Sequence, residues 1–212
     1  MKKTIFKTIS RITMLLLISI TISCNNDDDN SNIVSGCDTF NSNFKLLYNT
    51  ALAVNTNYQD VIDANLLTHE YTFAVNNEKT ICKIGYQGNA VLEANNLPYT
   101  IEVYNNTDAV MVYSGNHVFK STMTDYKTAS GNLVPGKIYT IRRVLPASGY
   151  LGDLNNASGR ICKFNLGSSW LTPFPLIQGN LIIGDSHSNF YGGGTTPPLY
   201  YGLPYIDIVF EQ

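Results

Sequence analysis

Residues able to do chemistry are few in this chain, and their spacing says little for catalysis. Asp185, Ser186 and His187 are consecutive in "GDSHSNFYGGG". A hydrolytic triad is assembled by a fold from separated positions, and no G-x-S-x-G elbow is present, so the segment is expected to be a turn. Glu102, Asp185 and Asp207 are the carboxylates to test for glycoside hydrolysis, which needs two acids flanking a cleft. Each is expected at an outward strand or turn position. "DLNNASG" (153–159) lacks the alternating acids and closing Glu of a calcium loop. "YGGGTTPP" has no Lys-Ser/Thr after its glycines and is no phosphate loop. No C-x-x-C spacing exists, so no zinc site is expected, and nothing calls for a cofactor. Aromatic residues are the remaining candidates. Trp170, Tyr191, Tyr200, Tyr201 and Tyr205 fall in or beside loops of the final third. Exposed there, with Asn and Asp nearby, they would form a sugar-binding surface; the alternative is that they pack at strand ends.

Cys24 stands at the end of a three-part leader. "MKKTIFKTISR" is a positive start, "ITMLLLISITI" is an apolar run of 11 residues, and Ser23 precedes the cysteine. The run is short of the roughly 20 residues a membrane-crossing helix needs. "T-I-S-C" resembles the bacterial lipobox, with Ser23 in place and Thr21 where Leu is usual. The resemblance implies cleavage after residue 23 and acylation of Cys24; a secretory signal with an incidental cysteine is the alternative. "NNDDDN" follows at once. Asp27, Asp28 and Asp29 resemble the acidic signal that sends some Gram-negative lipoproteins to the outer face of the outer membrane. Without apolar residues the same run cannot collapse, so residues 24–38 are expected to be an acidic flexible tether.

Charge agrees with that division. The whole chain carries 14 basic and 16 acidic residues. Lys2, Lys3, Lys7 and Arg11 all precede Cys24, so the remainder holds 10 basic residues against 16 acidic ones, a net of −6. No basic stripe is left to follow a phosphate backbone, which argues against nucleic-acid binding.

The body, residues 39–212, must position any site. Residues 39–67 are an N-terminal extension of mixed pattern, with room for a helical turn or two. From Glu70 onward short β-rich runs alternate with turn residues such as "NNEK", "NNLP", "NNTD" and "PGK". In "YTIEVYN", Tyr99, Ile101 and Val103 share one face and Thr100, Glu102 and Tyr104 the other. Ile206, Ile208 and Phe210 alternate likewise against Asp207 and Glu211. One face on a core and one toward water is the expectation. With no room for crossover helices, about nine such strands predict an all-β antiparallel sandwich, jelly-roll or immunoglobulin-like. Cys82 and Cys162 both sit in "ICK" runs. In an oxidising compartment they could bridge and leave Cys37 unpaired; otherwise both are buried thiols.

"LVPGKIY" places Leu133, Pro135 and Tyr139 at the spacing of the tyrosine corner of fibronectin type III-like domains. The order "ICKIGYQ … YTIEVYNN … VYSGNHVFKST … LVPGKIYTIRRV … PYIDIVF" resembles an uncharacterised Gram-negative surface lipoprotein family with a C-terminal β-sandwich. The resemblance spans most of residues 66–212 and implies fold and location only. Taken together, the expectation is an outer-membrane, lipid-anchored, outward-facing protein with a non-catalytic binding module for a glycan or polymer. The alternatives are an accessory subunit of a surface protein assembly and a hydrolase.

Overall fold

Strict alternation builds the centre of the protein. In β4 (Tyr99–Asn105) the residues Tyr99, Ile101 and Val103 are buried while Thr100, Glu102 and Tyr104 keep contact with solvent. In β7 (Tyr139–Val144) Tyr139, Ile141 and Arg143 point inward and Thr140 and Arg142 outward. In β2 (Leu66–Val75) His69, Tyr71, Phe73 and Val75 point inward, so three neighbouring strands present one apolar face. The computed structural model describes residues 36–54, 56, 58–63, 66–146, 159–164, 173–190 and 202–212.

These three strands are the middle of a six-stranded antiparallel sheet. It is completed by β5 (Val110–His117), β9 (Leu176–Gln178) and β10 (Leu181–Phe190), in the order β5-β4-β7-β2-β10-β9. A three-stranded sheet holds β12 (Asp207–Phe210), β3 (Lys79–Tyr86) and β6 (Asp125–Leu133), in that order. A third sheet joins β1 (Tyr58–Asp63), β8 (Gly159–Phe164) and β11 (Gly202–Pro204). Every pairing is antiparallel. The expected all-β antiparallel sandwich is therefore the architecture, with twelve strands among the described residues rather than about nine. The additional ones are short or lack an apolar pattern: β6 reads "DYKTASGNL".

Aromatic rings lock the layers together. Tyr86 of β3 meets Tyr99 of β4 edge-on across the two sheets at 5.3 Å between centroids, while within the large sheet Phe73 stacks on its cross-strand partner Tyr139 at 5.4 Å. Tyr71 donates its hydroxyl hydrogen to Ile206 O at 2.7 Å, tying the large sheet to the segment before β12. Offset and edge contacts of this kind add to the apolar area they bury.

Within the extension at residues 39–67, the helical part packs on this core. Helix α1 (Asn43–Val54) buries Phe44, Leu47, Tyr48 and Ala51, an i, i+3, i+4, i+7 stripe. Ser42 caps it, accepting from Lys45 N at 3.1 Å. Phe44 stacks on Tyr71 at 5.3 Å, so the helix closes one side of the core. A second, single-turn helix, α2 (Ala90–Ala94), leads from β3 toward β4.

The tyrosine corner forms as the motif predicts. Tyr139 Oη accepts from Val134 N at 2.8 Å and lies 3.3 Å from Val134 O. Gly136 has φ +78°, a left-handed turn conformation that its missing Cβ makes cheap.

The cysteine pairing differs from the expected one. Cys82 is bonded to Cys37, whose Cα lies 6.0 Å away, and Cys162 is a buried free thiol. Strand β3 carries Cys82 toward Cys37, which also forms a β-bridge with Glu211. The last residues of the predicted tether, Cys37 and Asp38, are thus docked on the domain. Asp38 Oδ1 accepts from Phe40 N and Asn41 N at 2.8 and 3.0 Å, turning the chain toward α1.

Candidate ligand-binding groove

The outward residues of four adjacent strands assemble a shallow groove of ≈ 350 Å³. Glu70 comes from β2, Thr140 and Arg142 from β7, Glu102 and Tyr104 from β4, and Met111 from β5; Asn106 closes one end. Antiparallel register decides which of them meet. Arg142 stands directly opposite Glu70 on one side and Glu102 on the other. Tyr104 stands opposite Thr140 and Met111. The result is one charged row and, two residues along, one row of ring, thioether and hydroxyl.

Arg142, Glu102, Asn106 and Thr140 are held in place by hydrogen bonds. Arg142 donates from Nε and Nη2 to Glu102 Oε2, at 3.0 and 2.5 Å. Asn106 donates from Nδ2 to Thr140 Oγ1 at 2.8 Å, and its backbone N–H donates to Ile138 O at 2.8 Å. Met111 is 45% exposed, so the apolar end of the groove meets water. An apolar patch bordered by fixed donors and acceptors is what a hydroxylated ring requires.

The residues singled out from sequence are distributed differently. Tyr205 is 1% exposed and lies in the core, edge-on to Tyr48 at 4.8 Å. The Arg160 guanidinium covers its ring at 4.5 Å, and Arg160 is in turn held by Asp60. Tyr205 has no open face for a ligand, so its predicted binding role is withdrawn. Trp170, Tyr191, Tyr200 and Tyr201 lie outside the described residues, as do Cys24 and Asp27, Asp28 and Asp29.

Asp185, Ser186 and His187 occupy successive positions of β10 instead of a turn. Ser186 is buried while Asp185 is only partly so, which places these two neighbours on different faces of the strand. The Ser186 hydroxyl donates to Gly202 O at 2.8 Å. The three carboxylates also fail to converge. Glu102 faces the groove, Asp185 is on β10, two strands beyond β7, and Asp207 is fully buried. Burial pushes the Asp207 carboxyl up to about 6, against hydrogen bonds from Ser42 and Tyr126 that pull it down. It opens onto no cleft.

Sequence reading missed a buried polar cluster behind the groove. Arg143, next to the outward Arg142, is fully buried with its guanidinium 5.5 Å from the Tyr86 ring centre and 5.6 Å from that of Tyr99. Its Nη1 donates to Leu67 O at 3.3 Å. His69 stands opposite Arg143 in register; burial, and then the Arg143 charge, hold its imidazole well below the usual range. The alternation in "YTIRRV" was the available signal, since one of two adjacent arginines in a half-buried strand must face inward.

No known protein-family model matches the chain, and no curated protein matches it. Among the described residues no helix is long and apolar enough to cross a membrane, and no group of three or more His, Cys, Asp or Glu could hold a metal ion.

Proposed function

We propose that this protein is a lipid-anchored lipoprotein of the outer membrane, facing the exterior, whose β-sandwich is a non-catalytic module binding a glycan or related polymer. The single observation that carries the binding reading is the groove: the Tyr104 ring and Met111 beside Glu70, Glu102, Asn106, Thr140 and Arg142. Sugar rings offer apolar faces to an aromatic and hydroxyls to fixed polar groups, and this surface supplies both. Placement on paired strands, not loops, keeps such a surface rigid before a ligand arrives. The anchor rests on the lipobox-like "T-I-S-C" and the acidic "NNDDDN".

A glycan array probed with the purified full chain in detergent tests the binding reading. Retention of at least one polysaccharide, weakened tenfold or more by Tyr104→Ala, is expected. No retention of any glycan overturns it. Stacking of a base on an aromatic ring carries on the order of 1–3 kcal/mol, and a sugar stacked on Tyr104 at a comparable strength would lose about tenfold, or about 1.4 kcal/mol, when the ring is removed.

A further inference from the structure

The charged row of the groove has a composition that discriminates among polysaccharides. Two carboxylates, Glu70 and Glu102, stand against one guanidinium, Arg142, leaving one net negative charge. Register fixes the order across three strands as Glu102, Arg142, Glu70. Both outer groups only accept hydrogen bonds, and the central group only donates. Two of the Arg142 nitrogens already donate to Glu102 Oε2. Ser114 continues the row on the edge strand β5, opposite Glu102.

Hydroxyl groups suit this row because each both donates and accepts. They can donate to Glu70 and Glu102 and accept from the remaining Arg142 hydrogens. A uronate or sulfate group can only accept, so one centre suits it while two carboxylates repel it. Three strand spacings separate β2 from β5, roughly 14 Å, long enough for a short run of rings instead of a single sugar. Resting on the glycan reading above, we propose that the groove is a site for uncharged polysaccharide chains and that Glu70 and Glu102 exclude anionic ones.

Affinity electrophoresis or titration of the full chain at low ionic strength, with soluble glucan, mannan, polyuronate and sulfated galactan as probes, tests this. A neutral polymer is expected to bind at least about fivefold more tightly than either anionic one, the factor that a single like-charge contact near 4 Å in water carries. Raising the salt should narrow that gap. Glu70→Gln with Glu102→Gln turns the local charge from −1 to +1, and anionic binding should then rise about fivefold or more while neutral binding changes less. Both positions face solvent, and an unchanged melting temperature, with Glu102→Gln alone as the second variant, shows that the fold is retained. Equal binding of neutral and anionic polymers, or selectivity unmoved by the Gln variants, overturns the inference and leaves the glycan reading standing. Binding that survives Tyr104→Ala intact places the site elsewhere and also overturns the inference. Retention of no polymer at all overturns both.

Discussion

Ser42 and Asp207 are 165 residues apart in sequence and joined side chain to side chain, Ser42 Oγ donating to Asp207 Oδ1 at 2.6 Å. Tyr126 donates to the other carboxylate oxygen at 2.7 Å. One buried acid therefore fastens the cap of α1, the edge strand β6 and the start of β12 at a single point. Charged carboxylates buried this fully are costly, and the same hydrogen bonds offset part of the cost.

A pH dependence follows from Asp207. Its carboxyl is raised in the folded chain to about 6 from an ordinary 3.8, so between those values the native state holds more protons than the unfolded one. Stability from this group is fully present below pH 3.8 and is lost as pH rises through 6. His69 acts oppositely in part of the same range, because its lowered imidazole costs stability as pH falls below its ordinary value of 6.5. Comparison with Asp207→Asn isolates the carboxyl. The amide still accepts from Ser42 and can donate to Tyr126. Wild-type stability minus that of the variant should fall by up to about 3 kcal/mol from pH 4 to pH 7. Urea unfolding at both pH values checks it, and a difference independent of pH would show that Asp207 titrates normally.

Reduction of the Cys37–Cys82 bond should weaken the domain, whereas the buried Cys162 thiol should stay unreactive as long as the fold holds. The Cys37–Cys82 bond closes a sequence separation of 45 residues, for which loop-closure entropy predicts roughly 3–4 kcal/mol. Cys162 is buried, and burial pushes its thiol up to about 12, which keeps it protonated and unreactive. A melting curve with and without reductant should show a clear drop in Tm. Maleimide labelling followed by peptide mass analysis should find Cys162 untouched until denaturant is added. Rapid native labelling of Cys162, or modification of Cys37 and Cys82 in the oxidised protein, would contradict this arrangement.

Tyr139→Phe removes the corner's hydroxyl while keeping the ring stacked on Phe73. Val134 N then loses its acceptor. Val134 sits near the surface, so water replaces part of the bond, and the expected cost is about 1 kcal/mol. The urea midpoint should fall with the slope unchanged. No shift in midpoint would mean that the turn, not the hydroxyl, holds this corner.

Elements carrying their own pattern were legible before the structure. Alternation in "YTIEVYN" marked β4, the spacing of Leu133, Pro135 and Tyr139 marked the corner, and the β-rich run "YTIRRVL" after its Pro-Gly turn marked β7. The Phe44, Leu47, Tyr48, Ala51 stripe of α1 was present too, but "FKLLYNTALAV" carries extra apolar residues such as Leu46 and Leu52 that blur its period. Strand β6 escaped because "DYKTASGNL" pairs through its backbone with few apolar residues to announce it. Asp207 read as outward because it alternates with Ile206 and Ile208, yet the core closes over both faces of β12. The Cys37–Cys82 pairing and the groove are products of register. They depend on which residues of separate strands stand opposite one another, and no local pattern encodes that.

The proposed membrane anchor makes the last prediction. Multiple acyl chains on Cys24 would hold the protein stably, whereas one chain alone is marginal. Cys24→Ala removes the attachment point, and the protein should move from the membrane fraction to the soluble one. Asp27, Asp28 and Asp29 lie beyond the attachment point, so changing all three to Ala should leave the chain membrane-bound. If they direct export to the outer face, that variant should nevertheless resist protease added to intact cells, while the wild type is digested. The two variants separate anchoring from address. Unchanged fractionation of Cys24→Ala would refute the lipid anchor, and unchanged protease access of the Asp variant would refute the export role while leaving the anchor in place.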